Sequence, residues 1–149
     1  MTTWIFQGNP DIFDIDTYLR EYGPIIRWTV RQHANEVKVN DIVFLWRAQG
    51  RENLESGIIA KGVIISRPCE MDDDVPHLWR GGSPGRELRV IIELLEIRLT
   101  RRDGMIPREY LLEELPKLKI LRQPNQTNYK LPPEYACFIS ILWEKFRPR

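Results

Sequence analysis

The segment R-W-T-V-R-Q-H-A-N-E-V-K-V-N-D-I-V-F-L-W-R-A-Q-G, Arg27 to Gly50, is followed after a polar loop by S-G-I-I-A-K-G-V-I-I, Ser56 to Ile65. Its central piece, Asp41–Arg47, alternates along an extended chain. Ile42, Phe44 and Trp46 fall on one side, and Val43, Leu45 and Arg47 on the other. Asn40-Asp41 in front of it is a turn pair, because both residues tolerate left-handed backbone and bond their own main chain. Gly57–Ile65 is β-branched and punctuated by glycine, the pattern of a neighbouring strand. Two tryptophans, each beside an arginine (Arg27-Trp28 and Trp46-Arg47), bracket the polar segment between them.

Working outward, Trp4-Ile5-Phe6 forms a short first strand ended by the turn signal Gln7-Gly8-Asn9-Pro10. Asp14 caps a helix with Ile15, Tyr18, Leu19 and Tyr22 at helical spacing, and Gly23-Pro24 stops it. Arg31–Asn35 is assigned to a short helical turn. Arg67–Arg86 is dense in Pro, Asp and Gly, and a loop of about twenty residues inside one domain is usually functional or disordered. Leu88–Thr100 is a long strand, Pro107 opens a short helix, Lys117–Leu121 is taken as a last strand, and Arg122–Lys130 as a polar loop. Pro133 begins a terminal helix whose Tyr135, Phe138, Ile139, Leu142 and Phe146 share one apolar face. About six strands interleaved with three or four short helices give an α+β class, a mixed barrel packed by helices.

The 149 residues suffice for a single domain with its own core, spanning positions 1–149. No apolar run reaches membrane-spanning length, and Met1–Gly8 is too short and uncharged for a secretory signal. Cys69 and Cys137 lie far apart without paired spacing, which favours a reducing, cytoplasmic setting. With 22 basic and 21 acidic side chains the net charge is +1, so an overall field cannot carry nucleic-acid binding; a local arginine patch and a selective pocket would have to.

No catalytic constellation is apparent. The histidines are His33 and His77 alone, and no nucleophile elbow, zinc-helix motif or phosphate loop occurs. Cys69 and His77 offer a metal two ligands where a structural zinc takes about four. Glu113-Glu114 suits a solvated helix face, and Gly81-Gly82-Ser83-Pro84-Gly85 lacks the lysine of a phosphate cradle. The residues imply no cofactor and no metal. The aromatics say more, since a base taken out of its stack gains roughly 1–3 kcal/mol on an aromatic face. Trp28 ends a strand beside Thr29. Trp46 runs in phase with Phe44 but sits at the strand exit, and Trp79 stands alone in the long loop, as a lid or a surface anchor. Trp4 and Trp143 belong to apolar faces. Arg27, Arg31, Arg47 and Arg51 cluster around the two key tryptophans as phosphate clamps or as surface ion pairs. The loop Arg122-Gln123-Pro124-Asn125-Gln126-Thr127-Asn128-Tyr129 gathers amides, a hydroxyl and an arginine suited to a sugar-phosphate backbone or base, or to satisfying its own turns.

W-I-F-Q-G-N-P-D-x-F, R-W-T-V-R, E-V-K-V-N-D-I-V-F-L-W-R, G-I-I-A-K-G-V and L-R-Q-P-N-Q-T-N-Y-x-L occur in that order over nearly the whole chain. Together they resemble the EVE domain, a PUA-like barrel family related to the YTH readers of methylated RNA. Asn40 stands where such domains usually have glycine, and His33 where an aromatic is common. The resemblance implies a PUA-like, partly closed barrel and a non-enzymatic module that recognises a modified base in DNA or RNA. It implies Trp28 as the pocket tryptophan, with the turn Gln7-Gly8-Asn9 and Thr29 reading the base edge; from their places in the chain, Trp46 or Trp79 would complete the wall. It also implies a prokaryotic defence or RNA-modification setting. Two other classes fit the residues: a small enzyme on a nucleotide or modified nucleic acid using Cys69 or His77, and a module docking a protein through Trp79.

Overall fold

Every position of the central strand except Ile42 is buried, so both of its alternating faces meet a core. The structure, a computed structural model, describes residues Met1–Arg149. The strands are β1 (Thr3–Gly8), β2 (Ile25–Thr29), β3 (Ile42–Arg47), β4 (Gly57–Ile64), β5 (Cys69–Met71), β6 (Glu87–Ile97), β7 (Ile106–Pro107) and β8 (Asn128–Lys130). The helices are α1 (Ile15–Tyr22), α2 (Arg108–Glu114), α3 (Lys119–Arg122) and α4 (Pro133–Lys145). One mixed sheet runs β2-β6-β4-β3-β1-β8, with short β5 on β6 and β7 on β4. β1 and β3 are parallel, Ile5 opposite Phe44, while β1–β8, β3–β4, β4–β6 and β2–β6 are antiparallel.

The outer strands β2 and β8 are drawn together by side-chain amides rather than by a backbone ladder. Asn128 Nδ2 donates to the Thr29 carbonyl at 3.1 Å, and its Oδ1 accepts from the Arg31 and Gln32 N–H groups at 2.7 and 3.2 Å. Gln32 Oε1 in turn accepts from the N–H groups of Thr127 and Asn128, both at 2.9 Å. A planar amide offers the same donor and acceptor as a peptide unit, so these two side chains serve as rungs across the gap. The chain thus forms the expected α+β, PUA-like, partly closed barrel, with the short strands β5, β7 and β8 added to those the sequence suggested.

Alternation along the strands divides the core in two. Trp4, Phe6, Val43, Leu45 and Ile59 pack with Ile15, Tyr18 and Leu19 of α1. Ile5, Phe44, Trp46 and Ile58 pack with Leu111, Ile120, Ile139, Leu142 and Trp143 from the other helices. Asp14 caps α1 as expected, accepting from the Thr17 N–H. Asn40 has φ +76°, the left-handed turn its Asn-Asp pair calls for. Asp41 behind it accepts from the Trp4 indole N–H at 2.9 Å and from the Lys38 N–H at 3.0 Å.

Three local assignments need correction. Lys117–Leu121 is not a strand: Lys119–Arg122 is a helical turn, because Leu118 and Ile120 are both buried by the helical layer. The expected loop Arg122–Lys130 contains β8, whose three residues are extended by pairing with β1. Arg31–Asn35 is an irregular turn, with His33 at φ +59° accepting from the Glu36 N–H at 2.8 Å.

Candidate nucleic-acid interface

A cavity of about 440 Å³ opens beside the seam between β2 and β8, within the size range of small-ligand sites. Gly8 and Asn9 form one side at the end of β1; Trp28 and Thr29 form another at the end of β2. Phe13, Asp73, Asp74 and Trp79 border it from the excursion between β4 and β6 and the turn before α1. Asn125, Gln126 and Thr127 complete the rim.

Each wall has a local cause. Trp28 follows Ile26 on the core side of β2 and is 7% exposed, so its ring is part core and part cavity wall. Gly8 is where the wall closes on itself: a Cβ there would lie 2.6 Å from Ile15 Cδ1 and 3.2 Å from Trp28 Cζ2. Gly8→Ala is therefore expected to cost roughly 1–3 kcal/mol by overpacking and to displace the Trp28 ring into the cavity. Urea unfolding together with the near-ultraviolet tryptophan signal checks it; an unchanged midpoint and signal would refute the tight approach.

The excursion that the sequence left as a long loop is laid down in order. The Trp79 ring meets Phe13 at 4.6 Å between centroids, and the two residues form a backbone bridge. The Asp14 N–H donates to Leu78 O at 3.0 Å and the Arg80 N–H to Ile12 O at 2.8 Å. Arg89, only 3% exposed, donates to Met71 O at 2.5 Å and to Gly85 O at 2.7 Å, clasping both ends of the excursion. Arg27 Nη1 reaches Asp72 O at 2.9 Å. The Tyr18 hydroxyl accepts from the Arg27 N–H at 2.7 Å and donates to Asp74 Oδ2 at 2.8 Å. Burial, above all, pushes the pKa of this phenol far above the usual range. The Arg27 backbone bond opposes the shift, and the neighbouring Asp74 carboxylate adds to it. Tyr18 therefore stays a neutral donor that pins Asp74 in place.

On the opposite rim, Gln7 Nε2 donates to Pro124 O at 2.9 Å and Gln126 O at 2.7 Å. The Tyr129 hydroxyl donates to Gln123 O at 2.6 Å and accepts from the Gln126 N–H at 3.0 Å. The rim loop is thus held from beneath by β1 and β8.

Of the residues singled out in the sequence, Gly8, Asn9, Trp28, Thr29, Trp79, Arg27, Arg31, Asn125 and Thr127 border the cavity. The Thr29 hydroxyl donates to Glu87 Oε2 at 3.1 Å, and Asn9 Oδ1 accepts from the Asp11 N–H at 2.9 Å, as an ordinary Asn-Pro turn does. Arg31 is half-exposed and paired with Glu87 at 3.0 Å. Six others lie elsewhere. Trp46 is 2% exposed in the helix-covered half of the core, on the face of β3 away from the cavity. Arg47 is 1% exposed, and its guanidinium grips Asp16 at 2.9 Å, Leu99 O at 2.8 Å and Glu55 O at 2.9 Å. It is an internal tie and unavailable to a phosphate. Asn128 is fully buried as the seam rung, and Tyr129 is buried as the loop's support. Arg122 and Gln123 are exposed at the end of α3, off the cavity. Sequence reasoning missed Phe13, Tyr18, Asp73, Asp74 and Arg89 as wall residues, and had Gln126 only as one amide of the late loop. Phe13 and Gln126 lay within quoted motifs, whereas Tyr18 carried only a helical-period core signal.

Cys69 and His77 do not border the cavity; Cys69 is exposed on β5, and His77 Nε2 meets the Tyr22 hydroxyl at 2.7 Å. No helix is long and apolar enough to cross a membrane.

No family model matches the sequence, and no curated protein matches it. Solved structures do. Human THYN1, in complex with 5-methylcytosine-containing DNA, superposes with TM-score 0.68 at 15% identity over 97% of this chain and 98% of that one. The DUF55 domain of human thymocyte nuclear protein 1 gives TM-score 0.64 at 15% identity over 95% and 98%. A hypothetical protein from Leishmania major gives 0.63 at 18% over 99% and 98%. Likeness that spans both chains from end to end assigns the architecture, while so few shared residues leave the chemistry of the cavity to its own geometry. The chain therefore has the fold of THYN1 and the DUF55 domain, a PUA-like, partly closed barrel.

Proposed function

We propose that this chain is a non-enzymatic module that takes one modified base of a DNA or RNA strand into the seam cavity. The observation that carries the reading is the cavity itself: Trp28 on one side, the Phe13–Trp79 pair on another, and polar groups from the Gln126 loop and Asp74 around them. Stacking on such walls is worth roughly 1–3 kcal/mol per base. Arg27 and Arg31 border the same opening and suit the flanking phosphates, with Asn125 and Thr127 as neutral partners. THYN1, which shares the fold, was solved with DNA carrying 5-methylcytosine, and this supports a modified base as the ligand class here. The prokaryotic defence or RNA-modification setting implied by the motif resemblance, and a cytoplasmic location, belong to the same proposal.

The two rival readings lose their residues. The enzyme reading relied on Cys69 and His77, which lie off the cavity, and the docking reading needed an exposed Trp79, whose ring is half-buried against Phe13.

The test is tryptophan fluorescence titrated with short oligonucleotides that differ only in one central base, modified or unmodified. Quenching is expected to depend on the modification, since two of the five tryptophans border the cavity. With so few free arginines at the opening, affinity is expected to fall only shallowly with salt, about −0.7 in log-log slope per phosphate on a single strand. Equal quenching by modified and unmodified strands, or a steep slope, would turn the reading into one of general backbone binding.

A further inference from the structure

Charge is spread unevenly over a chain that is near neutral as a whole. The stretch from Leu115 to Pro133 holds Lys117, Lys119, Arg122 and Lys130 and no Asp or Glu. Elsewhere arginines are tied up in ion pairs, as Arg31 is with Glu87, Arg47 with Asp16, Arg98 with Glu96 and Arg101 with Glu55. In the acid-free stretch only Lys130 is paired, with Glu36 at 2.5 Å, while Lys117, Lys119 and Arg122 stand exposed.

The fold gathers these ammonium groups. Leu118 and Ile120 are drawn into the helix-covered core, which leaves Lys117 and Lys119 on the outside of α3 and its approach. Together with Lys130, Tyr129 and Tyr135 they line a second hollow of about 140 Å³, and no carboxylate lines it. The hollow adjoins the seam cavity. Tyr129 lines the hollow, while its hydroxyl holds Gln123 O and the Gln126 N–H beneath the cavity rim. Along the extended chain Thr127 borders the cavity and Lys130 the hollow, about 10 Å apart. α3 runs directly into the rim loop, the Gln123 N–H donating to Lys119 O at 2.7 Å.

Resting on the base-binding reading above, we propose that the bound strand continues from the seam cavity into this hollow, where Lys117 and Lys119 neutralise phosphates flanking the captured base. Two observations select a nucleic-acid strand as the occupant: the charged side chains lining the hollow are all cations, and it is continuous with the cavity rim. An ammonium is a point charge with rotatable donors, so it holds a phosphate without reading sequence. Because Lys130 is shared with Glu36, the unpaired charge rests on the other two lysines. The cavity then selects the base, and the lysine hollow adds affinity that is blind to it.

Tryptophan fluorescence with two ligands tests this: a trinucleotide with the modified base at its centre, and the same trinucleotide extended at both ends. The extended strand is expected to bind about tenfold more tightly at low salt, with a log-log salt slope steeper by about 1.4, two phosphates at about 0.7 each. Lys117→Gln combined with Lys119→Gln should erase both gains and leave the trinucleotide affinity and the modified-to-unmodified ratio unchanged. Arg67→Gln combined with Arg102→Gln removes the same charge at exposed sites outside both hollows, and should keep the gains. Circular dichroism checks each fold; if the double lysine variant is unfolded, Lys119→Gln alone should remove about half of the slope gain. An extended strand that gains nothing, or gains as much in the lysine variant, overturns the proposal while modification-dependent trinucleotide binding keeps the base reading. Poly-glutamate that binds the wild-type lysines as tightly as the extended strand would assign the hollow to an acidic protein and overturn it too. Trinucleotides bound without regard to modification would overturn the base reading itself.

Discussion

Asn128→Ala is expected to lower folding stability by roughly 3–6 kcal/mol, since each buried group left unpaired costs about 1–3 kcal/mol. The side chain is fully buried and serves three main-chain groups, the Thr29 carbonyl and the N–H groups of Arg31 and Gln32. Alanine offers none of these bonds, and the Gln32 amide on the other side of the seam cannot cover them, because it already accepts two N–H groups. Against a typical total of about 5–15 kcal/mol, that is a large share. Asn125→Ala, on the exposed rim of the same loop, should stay within about 0.5 kcal/mol of the wild type. Urea unfolding of the two variants side by side decides it. If both midpoints shift equally, the seam is held by something other than the Asn128 rung.

Trp28→Ala should lose on two counts at once. The ring is almost fully enclosed among core residues, so its removal is expected to cost roughly 3–5 kcal/mol of stability. It also deletes the proposed stacking face, worth roughly 1–3 kcal/mol, or about 5- to 150-fold in Kd. Because an unfolded fraction would mimic a binding defect, Trp28→Phe is the informative companion. Phenylalanine keeps an aromatic ring in the core and should retain most of the stability, while the smaller face weakens the base contact. Isothermal titration on the folded fraction of each variant gives the two effects separately. Affinity for a modified base that survives Trp28→Ala in the folded fraction would remove this ring from the binding account.

Much of the barrel could be read before any coordinates, because its strong elements carry local signals: the Asp14 cap, the Asn40 turn, the alternation of β3. What escaped was set by distant partners. β8 is extended only because β1 pairs with it, and Leu118 and Ile120 fit a strand pattern as well as one buried helical turn. At the cavity the same contrast appears. Motif order pointed to Trp28 and the Gly8-Asn9 turn, which do border it. For Trp46 and Arg47, alternation placed each on its face of β3 but could not say that both faces would be covered. Arg47 reads as a surface cation until Asp16, thirty-one positions away, is found against it.

The β1–β8 ladder has a consequence for synthesis. Trp4 pairs with Lys130, so during synthesis one edge of β1 stays uncovered until β8 has followed it. Contacts of such long sequence separation are closed late, after the costly loop entropy between them has been overcome. A nascent chain halted before Asn128 would carry β1 through β7 with the Trp4–Gln7 edge bare, an invitation to pair with another nascent chain. β8, with α4 behind it, acts as the latch that closes this edge.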